Sequence, residues 1–219
     1  MAAGCRPEWR RAKLSEVIFN RTSLNAAELP AYEGVALSSV TLVISEQLAS
    51  EALTALLASD AIGFDTESKP TFPKGEVSTG PHLVQLSTDA RAYLFPVSRG
   101  RGSDALKAIL ESPKVLKVGF GLGNDRSALK SRLGITLNNV LDLGEVLRGD
   151  GHRGTVGAKV AVAHFFGQKL AKSKKTGTSN WALPNLSERQ ILYAANDAHV
   201  ALKLYRAWLR SEGQLHNPL

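Results

Sequence analysis

The chain has 219 residues, 43% hydrophobic and 21% charged, the composition of one ordinary globular domain with at most an appendage. It contains no apolar run of the ~18 residues a membrane-spanning helix needs, and no apolar stretch of a secretory signal at its N-terminus, so a protein of the cytoplasm is expected. Cys5 and five scattered histidines exclude an intramolecular disulfide and a zinc staple, and the net charge of +7 sits in two short segments, +3 within residues 1–13 and +4 on Lys169, Lys172, Lys174 and Lys175.

Residues 1–39 read as an N-terminal extension with one helical stretch near Lys13 to Asn20 and a breaker cluster around Pro30, Tyr32 and Gly34. A domain is expected over 40–219. Val40 to Ser45 reads as a strand, and Ser45 caps a helix whose Leu48, Leu53, Leu56 and Leu57 fall at helical spacing. The apolar run Ala61 to Phe64 leads into Asp65. His82 to Thr88 and Ala92 to Val97, separated by the polar turn Asp89 to Arg91, read as a hairpin. From Ser103 helix and strand alternate: a helix to Glu111, a strand Val115 to Phe120, a helix from Asn124 to Leu133, a short strand Val140 to Asp142 and a helix from Thr155 to Phe166. The last helix starts at Ser187, where Ser187 and Gln190 form a capping-box pattern. A hairpin continued by β-α-β units predicts an α/β protein with a mixed central sheet flanked by helices.

Three acidic motifs stand at ends of these elements. Asp65 and Glu67 are two apart at a strand end, so their carboxylates share a face, and one pKa should rise unless a cation, most naturally a metal ion, sits between them. Asp125 follows a strand that leaves through Gly119, Gly121 and Gly123 into a helix; a first-turn Asp can equally be a plain response to the helix dipole. Tyr193 and Asp197 are one turn apart on the last helix, among Ala194, Ala195, Ala198 and Ala201, which lets that helix lie close to another element. Four oxygen-donor acids without His or Cys suit Mg²⁺ or Mn²⁺. Two such ions about 4 Å apart could clamp a phosphodiester, with the Tyr193 hydroxyl orienting the attacking water.

On these residues the chain resembles the DEDDy branch of the 3′–5′ exonucleases, which includes ribonuclease D, the exonuclease domain of the Werner syndrome helicase and polymerase proofreading domains. The likeness runs from Val40 to Leu209 through Gly63-Phe64-Asp65-Thr66-Glu67, then Val118-Gly119-Phe120-Gly121 with Asp125, then Tyr193-Ala194-Ala195-Asn196-Asp197-Ala198. Ser179-Asn180-Trp181 with Leu186-Ser187 is similar to the Werner-type group. The resemblance implies a ribonuclease H-like fold, Asp65, Glu67, Asp125 and Asp197 as ligands of two Mg²⁺ or Mn²⁺ ions, Tyr193 as the residue that positions water, and release of nucleoside 5′-monophosphates from a DNA or RNA 3′ end. Ser68 stands where Werner-type relatives carry a bulky aromatic able to wedge against the terminal base.

Helical nucleic-acid-binding domains like those that follow the catalytic domain in ribonuclease D are not expected after the third motif, so grip on a long substrate is expected from the loop 169–181, the extension or a homo-oligomer. Lys172, Lys174 and Lys175 are candidates for phosphate contact, Trp181 for stacking on a base or for packing, and Lys69 and Lys74 for similar contacts. Two rival readings compete. Gly119-Phe120-Gly121 with Asp142 about 20 residues on mimics a dinucleotide-binding fingerprint, but Asn124 stands where the third glycine belongs. A non-catalytic nucleic-acid-binding relic of the fold would be expected to have lost an acid, and all four remain.

Overall fold

The computed structural model describes residues 28–71, 76–148 and 154–212. The helix expected near Lys13 to Asn20, and Lys74, lie outside the described residues. The strands are β1 (Val40–Leu42), β2 (Ala61–Glu67), β3 (Leu83–Ser87), β4 (Ala92–Pro96), β5 (Leu116–Gly119) and β6 (Val140–Asp142). The helices are α1 (Glu46–Leu57), α2 (Ser103–Glu111), α3 (Gly123–Leu133), α4 (Leu143–Val146), α5 (Ala158–Phe166), α6 (Lys174–Gly177) and α7 (Glu188–Ser211).

The strands form one mixed sheet of order β1-β4-β3-β2-β5-β6, as the hairpin followed by β-α-β units predicts. β3 runs antiparallel to β2 and β4, while the pairs β1–β4, β2–β5 and β5–β6 are parallel. The C-terminal ends of β2 and β5 therefore open on the same edge. That edge carries the acids.

Alternation along the strands gives the sheet two apolar faces. Ile62, Phe64, Val84, Leu86, Tyr93 and Phe95 pack with α1, α2 and α3. Ala61, Leu116, Val118 and Leu141 meet α5 and α7 on the other side, and Leu83 and Leu94 meet Trp181, Ala194 and Ala195 there. Lys117 points the opposite way from Leu116 and Val118, is fully buried, and donates to the carbonyls of Ser112 at 2.7 Å and Val115 at 2.9 Å. It thereby closes the C-terminal end of α2, where orphan carbonyls attract a cation. Burial pushes its pKa down to about 8.

α7 starts as expected. The Ser187 hydroxyl accepts from Gln190 N, and Gln190 Oε1 accepts from Ser187 N at 3.0 Å. The other end of that amide, Gln190 Nε2, donates to Ser179 Oγ at 3.0 Å and Asn180 O at 3.2 Å, tying the loop before α7 to its first turn. β1 ends at Leu42, and Ser45 caps α1 by accepting from Leu48 N. Residues 30–35 pack on the domain: Tyr32 N donates to Lys169 O, the Tyr32 ring stacks on Phe166, and Val35 N donates to Asn196 Oδ1 at 2.8 Å.

Candidate active site

α7 crosses β2 at close range, and glycine is what permits it. A Cβ on Gly63 would stand 2.7 Å from the carbonyl carbon of Ala198, with the oxygen nearer still. The small residues Ala194, Ala195, Ala198 and Ala201 are all buried on this helix. Close approach sets Asp197, 7% exposed, beside the end of β2. Gly63, Asp65 and Glu67 lie two apart along β2 and so share the face toward α7.

Asp125 reaches the same edge from the first turn of α3. The turn that launches α3 is held by Asp142, whose carboxylate accepts from Gly121 N at 3.1 Å, Leu122 N at 2.9 Å and Gly144 N at 2.9 Å. This settles the dinucleotide rival: Asp142 is used by backbone N–H groups inside the protein, not held ready for a ribose. The Thr66 hydroxyl, on the strand face opposite Asp65 and Glu67, donates to Asp125 Oδ1 and fixes that carboxylate.

The electrostatics show that the acids are neighbours. Crowding by protein atoms, then the Asp197 and Asp125 carboxylates, hold the Asp65 pKa well above the usual carboxylate range. Burial followed by Asp65 and Asp197 pushes Glu67 up to about 9. Burial raises Asp125 against the Thr66 hydroxyl, and raises Asp197 against Lys172. Three separate stretches of chain thus bring like charges to one edge, where each disfavours ionisation of another.

A positive charge already stands among them. Lys172 Nζ lies 2.9 Å from Asp197 Oδ1 and 6.0 Å from the centre of the Tyr193 ring. Burial works against its charge, but the carboxylates of Asp197, Asp65 and Glu67 outweigh that and raise its pKa. The lysine read as a phosphate contact is therefore engaged inside the acid cluster. Among the described residues no three His, Cys, Asp or Glu are gathered closely enough to enclose an ion. The donor set still fits a hard cation, since Asp65, Glu67, Asp125 and Asp197 offer carboxylate oxygens only and crowd without full compensation. Those four could hold Mg²⁺ or Mn²⁺ once their side chains turn inward and Asp197 is released.

Tyr193 sits one turn before Asp197. Burial, then the Asp197, Glu67 and Asp65 carboxylates, raise its pKa, so the phenol holds its proton. α6 covers it: a Cβ on Gly177 would be 2.7 Å from the phenol oxygen. Trp181 braces the ring from the side, centroid to centroid 6.0 Å, and donates from Nε1 to Gly177 O at 3.2 Å.

At 2% exposure, buried with Leu83, Leu94, Ala194 and Ala195, Trp181 has no free face for a base. Of the two roles weighed for it, stacking is corrected to packing. Lys174 and Lys175 are exposed on the one-turn helix α6, two and three residues beyond Lys172, and Lys69 is exposed just after Glu67. The sequence reading did not find Lys172 as an internal counter-charge, Thr66 as the partner of Asp125, or Asp142 as the clasp of the α3 turn. It also missed Gln85, the register partner of Asp65, which is fully buried with neither carboxamide atom hydrogen-bonded among the described residues.

A family model described as 3′-5′ exonuclease matches residues 40–211. The mouse bifunctional 3′-5′ exonuclease/ATP-dependent helicase WRN is 30% identical over 149 residues, 67% of this chain and 11% of that protein. A 3′-5′ exonuclease of Arabidopsis thaliana is 26% identical over 150 residues, 66% of this chain and 51% of that protein. The chain thus spans about half or less of the length of these relatives. Among solved structures, the Aedes aegypti Nibbler EXO domain superposes with a TM-score of 0.70 at 28% identity, covering 84% of this chain and 95% of that one. Escherichia coli RNase D superposes with a TM-score of 0.66 at 23% identity, covering 79% of this chain and 44% of that one, a likeness of fold.

Proposed function

The chain belongs to the 3′–5′ exonuclease family, a family of hydrolases, and from this premise we propose that it releases nucleoside 5′-monophosphates from the 3′ end of DNA or RNA with two Mg²⁺ or Mn²⁺ ions. The observation that carries the reading is the gathering of Asp65, Glu67, Asp125 and Asp197 at one sheet edge, where Asp197 and Asp125 raise Asp65 and Asp65 raises Glu67, beside a phenol that keeps its proton. When bound by these carboxylates, divalent ions supply the charge that activates a water and holds the leaving oxygen.

The chain's own residues do the rest. β2 fixes Asp65 and Glu67 at one spacing, α7 fixes Asp197 opposite them, and the Asp142 clasp with the Thr66 hydroxyl fixes Asp125. Such rigid placement is what lets a site stabilise charge that develops during reaction. Tyr193, braced by Trp181 and covered by α6, presents a phenol hydroxyl whose proton is held, suited to orienting an attacking water. The exposed ammoniums of Lys174 and Lys175 stand close in sequence to draw the phosphate backbone toward the acids.

The test is digestion of 3′-labelled single- and double-stranded RNA and DNA with Mg²⁺, with Mn²⁺ and with chelator. Asp65→Asn and Asp197→Asn are expected to abolish release of mononucleotides while each protein still melts cooperatively in chelator. An Asp65→Asn protein that degrades the oligonucleotides as fast as the parent would refute the assignment.

A further inference from the structure

Lys172 contradicts the expectation that the basic segment faces substrate, and the contradiction points to a specific role. Its ammonium is 2.9 Å from Asp197 Oδ1, while the Asp197 side chain is 5% exposed and the Lys172 side chain 30% exposed. The carboxylate is nearly enclosed, and the lysine is the partner with an open path to solvent. The same ammonium stands 6.0 Å from the centre of the Tyr193 ring, between the two functional side chains of α7, and is attracted as well by Asp65 and Glu67. Four acids meet at this edge, and the cation that meets them belongs to the chain.

A divalent ion ligated by Asp197 would have to share this small region with the ammonium. Like charges a few ångströms apart in a partly buried place repel strongly. A carboxylate oxygen donating its lone pairs to an ammonium is also less available to a metal. Release of the ammonium is within reach of a long, partly exposed lysine stem.

We propose that Lys172 is the resident counter-cation of the acid cluster, a positioning residue that keeps the metal-free site folded and that a divalent ion must displace from Asp197. This rests on the reading of the four acids as metal ligands. Lys172 then sets the affinity of the site for metal from within, and Lys174 and Lys175 are left to meet phosphates.

Calorimetric titration of Mn²⁺ into the nucleic-acid-free protein at neutral pH, beside melting curves in chelator, tests it on the parent, Lys172→Gln and Lys172→Arg. Lys172→Gln should bind Mn²⁺ more tightly, by on the order of tenfold, the effect of losing an interaction of about 1.4 kcal/mol, and should melt lower in chelator. Lys172→Arg, which keeps the charge, should stay near the parent in both. Parent-like or weaker Mn²⁺ binding by Lys172→Gln would overturn the proposal. A parent that binds no metal would instead sink the reading on which it rests.

Should Lys172→Gln fail to fold, the parent carries the test alone. Acylation of its lysines, followed residue by residue by mass spectrometry, should be slow at Lys172 in chelator and several-fold faster with saturating Mg²⁺. Lys174 serves as the internal standard. Unchanged or slower labelling of Lys172 with Mg²⁺ would overturn the proposal.

Discussion

Gly63→Ala tests the link between packing and chemistry more directly than removal of an acid, because it touches no reacting group. The added methyl would stand 2.7 Å from the carbonyl carbon of Ala198, and closer to its oxygen, where ordinary contact begins at 3.4 Å. The obstacle is helix backbone, which has no rotamer to change, so β2 and α7 must part by roughly 1 Å or more. Overpacking of this kind costs about 1–3 kcal/mol, a fall of roughly 2–12 °C in melting temperature for a chain of this size. The chemistry should suffer more, since Asp65 lies two residues from Gly63 and Asp197 is adjacent to Ala198. A displacement of ~1 Å in a catalytic constellation can cost ~10²-fold. Melting curves and initial rates on a 3′-labelled oligonucleotide measure both effects, at a temperature where the variant is fully folded. Gly123→Ala is the control: nothing lies within 4 Å of its Cβ position at the start of α3, so stability should be unchanged or rise by up to about 1 kcal/mol. A Gly63→Ala protein with parental rate and melting temperature would refute the reasoning. One that melts lower yet cleaves at the parental rate would show that the approach of α7 to β2 does not set the site geometry.

Tyr193→Phe removes a protonated hydroxyl from a braced ring and should lower turnover on the order of 10²-fold while oligonucleotide binding with Ca²⁺ stays near parental; a matched loss of binding would show that the phenol grips substrate instead. Lys174→Ala with Lys175→Ala should weaken single-strand binding and reduce the slope of log affinity against log salt by about 1.4, roughly 0.7 for each lost phosphate contact; an unchanged slope would remove α6 from the substrate path. In chelator, stability should fall as pH rises. Asp65, Glu67, Asp125 and Asp197 all have raised pKa values in the folded state, so it keeps protons that the unfolded state releases, and for Glu67 the window runs from its ordinary 4.5 up to about 9. His82 and His199, lowered by burial, and Lys117, lowered to about 8, act with the opposite sign, so the clean readout is the melting temperature with Mg²⁺ minus that in chelator. This difference should widen from pH 5 to pH 9, and a constant difference would refute the cluster's role.

The parts of the fold and site written in local pattern were legible. Apolar runs broken by turns located β2 through β6, the Ser187 and Gln190 pair located the start of α7, and strand alternation put Asp65 and Glu67 on one face before any tertiary contact was known. One-turn helices leave no periodicity, which is why α4 and α6 went unread. The pattern predicts α5 from about Thr155, and the helix starts at Ala158, after Gly157. The misjudged side chains share one cause, since their roles depend on partners distant in sequence. Lys172 looks like one more charge in a basic run until Asp197 arrives beside it from α7. Trp181 could stack or pack on its sequence alone, and the packing is decided only where β3, β4 and α7 close around it. Asp142 looks like a strand-end acid until the turn at Gly121 and Leu122 folds back onto it.

α7 explains how the fold tolerates a cluster that opposes it. Charges in a partly buried place are unfavourable unless paired, and among the described residues the acids are met by Lys172 on Asp197, the Thr66 hydroxyl on Asp125 and the Thr66 amide on Asp65. The compensating apolar burial lies further along the same helix, where Val200, Leu202, Leu204, Tyr205, Trp208 and Leu209 pack into the core with α5, β5 and β6. The first half of α7 is instead alanine-rich, which contributes little burial but allows close approach. One rigid helix therefore couples the two: its large residues hold it to the sheet, and its small residues let that hold press Asp197 toward Asp65. Stability and site geometry are consequently not separable in this half of the molecule, and substitutions along α7 should change melting temperature and metal affinity together.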